Sequence, residues 1–242
     1  MERDLSLTAP PISSWSYSRL KNYETCPYQA YLRYGERRPE PATIDRTNAE
    51  RGIAIHTEAE SFIKDANAPL PKSIAKNAAV MEEVKAAFAE GRASVEEEWA
   101  FTVEWEPTGW MASNAWLRIK LDAYVKDEVV GTAFDWKSGR KFGNEIPHAQ
   151  QGQLYMLGCF VRDPELEVVK TRFVYVDHGV EVQREYTRDQ VPKLLAYWTE
   201  RGSKMTNALT FPAKPNKINC RYCPYSPNNG GDRSCPWGVE LG

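Results

Sequence analysis

The sequence predicts an α/β protein with a helical front end, a mostly antiparallel sheet with a helix packed on it, and a cysteine-bearing tail. Three observations predict it. Aromatic and apolar residues recur at helical spacing through the first ninety residues. From about residue 95 the texture changes to runs of aromatic and β-branched residues bounded by Pro107, Gly109 and Asp127. The last part of the chain gathers Cys220, Cys223 and Cys235 around a loop rich in proline, asparagine and glycine.

Taken in order, Ser14 or Ser16 can cap a helix that runs through Arg19, Leu20 and Tyr23, past Cys26, to Tyr34. A polar, proline-bearing link covers 35–45. Helices are expected over 49–66 and 73–90, separated by Asn67-Ala68-Pro69-Leu70-Pro71. Strands are expected over 95–105, 115–126 and 129–136, the last two joined by a tight turn at Lys126-Asp127-Glu128. A helix over 145–161, a strand pair over 167–177 and 180–187, and a last helix over 189–207 follow. The tail from Phe211 reads as loop, including the stretch from Pro224 to Asp232. No internal repeat or low-complexity segment interrupts this order.

The chain has 242 residues, enough for one large domain or two small ones, with 42% hydrophobic and 26% charged residues. A net charge of −2 weighs against a protein that coats nucleic acid through bulk charge, yet allows an enzyme with a local basic groove. Met1-Glu2-Arg3-Asp4 lacks a signal-peptide layout and no apolar run is long enough to span a bilayer, so the expected location is cytoplasmic, without a membrane partner. Five cysteines in that compartment are expected to be reduced.

The stretch Asp135-Trp136-Lys137-Ser138-Gly139 carries the most chemistry. On a strand Asp135 and Lys137 point to one side. A carboxylate that holds a divalent cation, beside an ammonium that orients water and offsets phosphate charge, is what metal-dependent phosphodiester cleavage needs. Taken alone, the pair also reads as a solvated strand end. Asp122 projects from the preceding strand, and a hairpin can bring it to the same cation as Asp135; the plainer reading is a surface aspartate on an edge strand. His56 lies in a helix among small and apolar neighbours, where a histidine is more often a boundary residue than a ligand. Gln151 and Tyr155, four apart, share a helix face suited to gripping a phosphate backbone or the lysine. Cys220-x-x-Cys223 can present two thiolates to one centre, Cys235 lies within reach, and Cys26, followed like Cys235 by proline, is a better fourth candidate than Cys159, which reads as a small core residue.

Read together, Ser16-x-x-x-Leu20-x-x-Tyr23-x-x-Cys26-Pro27, Gly52-x-x-x-His56, Leu121-Asp122, Asp135-x-Lys137-Ser138-Gly139, Gln151-x-x-x-Tyr155 and Cys220-x-x-Cys223 with Cys235-Pro236 resemble the RecB/AddB-type branch of the PD-(D/E)XK nucleases. The iron–sulfur members are nearest, among them the AddB nuclease domain and the small CRISPR-adaptation and phage exonucleases. The resemblance runs from about residue 14 to 237. It implies one nuclease domain with a mixed central sheet flanked by helices, divided into a helical front end (14–92), a catalytic core (93–207) and a cluster-binding tail (208–242).

The resemblance also implies roles. His56, Asp122, Asp135 and the Trp136 carbonyl would hold one or two Mg²⁺ or Mn²⁺ ions. Lys137 would orient water, supported by Gln151 and Tyr155. Cys26, Cys220, Cys223 and Cys235 would hold a structural [4Fe–4S] cluster; residue type alone admits zinc as well. Glu98, in Glu96-Glu97-Glu98, is a further candidate for the site. The expected activity is hydrolysis of DNA at ends or in single strands, in repair, recombination or phage DNA metabolism. Contacts to phosphates are expected from Arg19, Lys21, Arg33, Arg37, Arg38, Lys214, Lys217 and Arg221, and stacking from Tyr17, Tyr28 or Tyr31. No Walker-type loop is present, so a helicase or recombinase partner would come in trans. The competing readings are a DNA-binding or docking subunit of a recombination or CRISPR-adaptation complex, and a zinc-stabilised interaction protein.

Overall fold

The structure is a computed structural model describing residues 9–41, 44–139, 142–229 and 235–239. It divides into two units, one from residues 1–46 and 199–242, the other from residues 47–198. In the first unit, α1 (Tyr17–Thr25) is capped by Ser16, whose side chain accepts from Arg19 N. The single helix expected from 14 to 34 is broken at Cys26, which is extended at φ −154°. Pro27 is the cause: its ring pushes the residue before it out of the helical region, while suiting it to start α2 (Pro27–Ala30). A π-helical turn, Tyr31–Gly35, completes the segment.

The second unit opens with α3 (Thr47–Lys64) and, after a 3₁₀ turn at Ala75–Asn77, α4 (Ala78–Ala89). The sheet follows as β1 (Ala93–Phe101), β2 (Pro107–Thr108), β3 (Leu117–Asp127) and β4 (Val130–Lys137). Then come α5 (Glu145–Arg162), β5 (Val168–Tyr175) and β6 (Val180–Thr187). The strand expected over 95–105 stops at Phe101 and turns into the short β2, because Trp105 takes φ +65°. Strand order is β2-β1-β3-β4-β5-β6. Every pair is antiparallel except β4 and β5, which run parallel because α5 crosses between them, so the sheet is mixed.

One face of the sheet packs under α3 and α4. Ile55, Phe62, Met81 and Val84 close over Val95, Ala123, Val125, Phe134, Trp136 and Val174. The other face carries α5. There a Cβ on Gly152 would stand 2.9 Å from Thr171 Oγ1, so only glycine lets the helix settle this close to β5. That approach decides which α5 side chains reach the end of β4.

A 3₁₀ turn (Arg188–Gln190), held by a capping box between Thr187 and Gln190, leads into α6 (Val191–Thr206), which supplies residues to both units. In the first unit, Arg201 binds Glu24 at 2.6 Å and the Tyr23 hydroxyl donates to Lys204 O. The tail expected as loop contains a short helix, α7 (Lys217–Arg221), capped by Asn216, whose side chain accepts from Ile218 N and Asn219 N. Of the expected loop from Pro224 to Asp232, residues 230–232 lie outside the described residues, as do Met1 to Asp4. No helix among the described residues is long and apolar enough to cross a membrane.

Candidate active site and cysteine pocket

Five elements of the second unit converge on a cleft of about 680 Å³ lined by His56, Glu96, Asp122, Asp135, Lys137 and Tyr155 among others. Its floor is an irregularity in the sheet. The β1–β3 ladder pairs Val95 with Ala123 and Glu97 with Leu121, but skips Glu96 opposite Asp122. Glu96 sits there at φ +56°. Val95 and Ala123 pack on the α3–α4 face, whereas Trp99, Phe101 and Ile119 meet Gly158 of α5 on the opposite one. In a regular strand residues an even number apart share a face, so both strands swap faces at this pair. A glutamate held at positive φ costs about 1–3 kcal/mol.

Asp122 is therefore on an inner strand and buried, not an edge residue. Its Oδ2 accepts Trp136 N at 2.6 Å and its Oδ1 meets His56 Nδ1 at 2.9 Å. Burial pushes the Asp122 carboxyl up to about 6, against the lowering effect of the His56 hydrogen bond. The hydrogen bond to Asp122 raises His56, with burial opposing. The Trp136 indole is buried in the core under α3 and α4, so this residue offers the cleft only its main chain.

Asp135 and Lys137 share the α5 side of β4. Lys137 Nζ lies 2.7 Å from Asp135 Oδ1 and donates to Gln151 Oε1 at 3.0 Å. Gln151 Nε2 donates to Tyr155 OH at 2.5 Å, and Tyr155 OH donates to Asp135 Oδ2 at 2.6 Å. The four side chains form a closed circuit in which each contact sets a donor against an acceptor. Tyr155, buried beside Asp135, has its hydroxyl pKa pushed well above the usual range, chiefly by burial, so it stays a donor.

Among the described residues one group has histidine, cysteine or carboxylate ligand atoms all within 4.8 Å of one another: His56, Glu96 and Asp122. Glu98 is not part of it; it lines a separate pocket with Trp99, Pro107 and Arg162. The twist of Glu96 out of the regular pleat decides between them, and the sequence gives no local sign of that twist, since no glycine or proline stands there. Glu96 is paired with Lys120 at 2.7 Å. This donor set of carboxylate oxygens and one imidazole nitrogen fits a hard divalent cation such as Mg²⁺ or Mn²⁺.

In the first unit Cys26, Cys220, Cys223 and Cys235 line one pocket. Two of the sulfurs accept a main-chain N–H: Cys26 from Lys214 at 3.4 Å and Cys220 from Val239 at 3.5 Å. No three of the four sulfurs lie within 4.8 Å of one another. Cys159 is fully buried in α5, away from that pocket, and burial pushes its thiol up.

Several expected DNA contacts are engaged within the first unit. Arg33 pairs with Glu40 at 2.7 Å, Arg38 with Glu36, and Lys214 Nζ donates to Glu24 O. Tyr28 and Tyr31 stack on each other at 6.2 Å and pack against Trp237 and Phe211 respectively. Exposed instead are Lys217, Arg221 and Tyr222, the last a residue the sequence reading missed; its place between Arg221 and Cys223 is its only sequence signal.

This mixed sheet, flanked by helices, carries an acidic, lysine-bearing cleft at the end of β4. Residues 14–227 match the family described as the PD-(D/E)XK nuclease superfamily, and the chain belongs to it. No curated protein matches the sequence. Twenty-five chains of solved structures match by fold. Among them, the crystal structure of SSO0001 aligns with a TM-score of 0.42 at 14% identity, covering 94% of this chain and 88% of that one.

Proposed function

We propose that the protein is a RecB/AddB-type DNA exonuclease, dependent on Mg²⁺ or Mn²⁺, that hydrolyses phosphodiester bonds at DNA ends or in single strands during repair, recombination or phage DNA metabolism. The observation that carries the reading is the hydrogen-bonded circuit of Asp135, Lys137, Gln151 and Tyr155 beside the His56–Glu96–Asp122 group. An intact circuit favours an enzyme over a docking subunit, since a binding module needs no buried donor–acceptor set at its cleft.

His56, Asp122, Asp135 and the Trp136 carbonyl, with Glu96 in place of Glu98, would hold the cation. When bound, it supplies a Lewis acid that lowers the pKa of water and offsets phosphate charge. Lys137, fixed by Gln151 and Asp135, points an ammonium into the cleft where the attacking water and a scissile phosphate oxygen would meet it. Tyr155 fixes the second oxygen of Asp135, so this carboxylate presents one defined edge.

DNA as the substrate is supported by local charge. Residues 201–231 carry no acidic residue, and of their five basic residues Lys217 and Arg221 stand exposed, whereas Arg201 pairs with Glu24 and Lys204 with Glu200. A [4Fe–4S] cluster on Cys26, Cys220, Cys223 and Cys235 is part of the same reading. What speaks for it is that the four cysteines line one pocket and that Cys26 and Cys220 accept main-chain N–H groups there. A helicase or recombinase in trans would supply strand opening.

The test is cleavage of end-labelled single- and double-stranded DNA with Mg²⁺ or Mn²⁺ by anaerobically purified protein, beside Lys137→Ala. The expected result is metal-dependent release of label that falls at least about 100-fold in the variant, the cost of removing one aimed charge. Equal cleavage by the variant refutes the role of Lys137. No cleavage by folded wild type turns the reading to a DNA-docking subunit.

A further inference from the structure

Lys137 is the last residue of β4, and nothing in a strand's own ladder fixes a side chain at its exit. Here the exit is fastened by three consecutive residues beyond β5. Val176 N donates to Lys137 O at 3.1 Å. Asp177 Oδ2 accepts Gly139 N at 2.8 Å. His178 Nε2 donates to Gly139 O at 3.1 Å. Gly139 stands at φ +106°, open to glycine alone, so the main chain can turn its N–H and carbonyl toward these partners.

Asp177 has a second engagement. Arg51, in the first turns of α3, grips both of its carboxylate oxygens, with NH1 at 3.1 Å from Oδ2 and NH2 on Oδ1. That guanidinium, with the Gly139 N–H, holds Asp177 below the usual carboxylate range. One residue on, a Cβ at Gly52 would come within 3.3 Å of Ser138 Oγ, so α3 and the β4 exit also touch directly. The helix itself is anchored elsewhere: Ile55, Ala59, Phe62 and Ile63 are buried in the core, and His56 is bound to Asp122. Gly52, His56 and Ser138 line the cleft, whereas Arg51 and Asp177 do not.

We propose that Asp177, charged and oriented by Arg51, is a positioning residue for Lys137: it straps the Ser138–Gly139 exit of β4 to α3. The proposal rests on the reading that Lys137 serves phosphodiester cleavage. An exposed arginine–aspartate pair contributes little to stability, at most about 1 kcal/mol, and Arg51 and Asp177 side chains are 50% and 25% exposed. The strap's effect is therefore on placement rather than on folding, and a misplacement of about 1 Å at reacting groups costs about 100-fold in rate.

The experiment compares wild type, Asp177→Ala, Asp177→Asn and Arg51→Gln for kcat, KM for DNA, Mn²⁺ affinity by calorimetry, and melting temperature. Asp177→Ala is expected to lower kcat by about 10- to 100-fold while KM and Mn²⁺ affinity stay within about twofold. Asp177→Asn, which keeps an acceptor for Gly139 N, should recover part of the loss. A fall in kcat, Mn²⁺ affinity and melting temperature together would make Asp177 merely structural and overturn the proposal, as would unchanged kcat. If Asp177→Ala does not fold, Arg51→Gln, which leaves every backbone contact in place, decides by the same criteria. Full activity of Lys137→Ala would instead defeat the role of Lys137 on which the strap depends.

Discussion

Removing one hydroxyl at Tyr155 tests the hydrogen-bonded circuit. In Tyr155→Phe the ring still stacks near Phe173, at a centroid distance of 6.1 Å, so packing is kept. What is lost is the donor 2.6 Å from Asp135 Oδ2, in a carboxylate only 4% exposed. Gln151 Nε2 loses its acceptor in the same step. A hydrogen bond to a charged group contributes about 1.5–3 kcal/mol, and the stranded carboxylate oxygen has little water to replace it. In a chain of this size about 2 kcal/mol corresponds to a fall of about 4–8 °C in melting temperature. Cleavage and Mn²⁺ affinity should drop about 10- to 100-fold, the usual cost of removing the group that orients a ligand. Thermal melts without added metal, followed by cleavage at saturating Mn²⁺, measure both. A variant that melts within about 1 °C of wild type, well short of the expected fall, and cleaves within about twofold would refute the circuit as a support of Asp135.

Three further outcomes are expected. Glu96→Gln should weaken Mn²⁺ binding about tenfold in calorimetry, while Glu98→Gln leaves it unchanged; the reverse pattern would return the site to Glu98. Cation affinity should fall as pH drops through about 6, because burial raises Asp122 to about 6 and the proton must leave before a cation binds. The metal-free fold shows the matching sign: a raised carboxyl favours folding at low pH, and this contribution is lost as pH rises from about 4 to about 6. A pH-independent affinity would refute the assignment of Asp122. Cys26→Ser should strip iron and visible absorbance as fully as Cys223→Ser, and Cys159→Ser should retain both; metal loss confined to Cys159→Ser would overturn the ligand set.

The order of elements was legible because helical spacing and β-branched runs are local signals, and the change of texture near residue 93 marks where the sheet begins. The spacing Gln151-x-x-x-Tyr155 likewise placed both residues on one α5 face, since four residues make about one helical turn. The break at Cys26 follows from its neighbour Pro27, a local signal masked by helical periodicity on both sides. Two other features escaped because they depend on partners distant in sequence. The depth of Asp122 depends on β1 and β4 flanking β3, which an isolated strand cannot announce. The inward turn of Glu96 depends on two strands swapping faces together, a tertiary event without a residue signature. The parallel β4–β5 pair was implied by a helix between two strands but read as part of a mostly antiparallel sheet.

The face swap at Glu96 has a bearing on how this chain would drift over generations. Glycine or asparagine would occupy φ +56° with less strain than glutamate, so selection for folding alone pulls this position away from an acid. Only a demand on the carboxylate opposes that pull. A copy released from catalysis should therefore lose Glu96 early, before the buried Asp122, whose removal would also leave Trp136 N–H without its acceptor. Under the proposed role of Glu96, an acid at this position would mark a lineage still cutting, and a small or turn-forming residue one that has stopped.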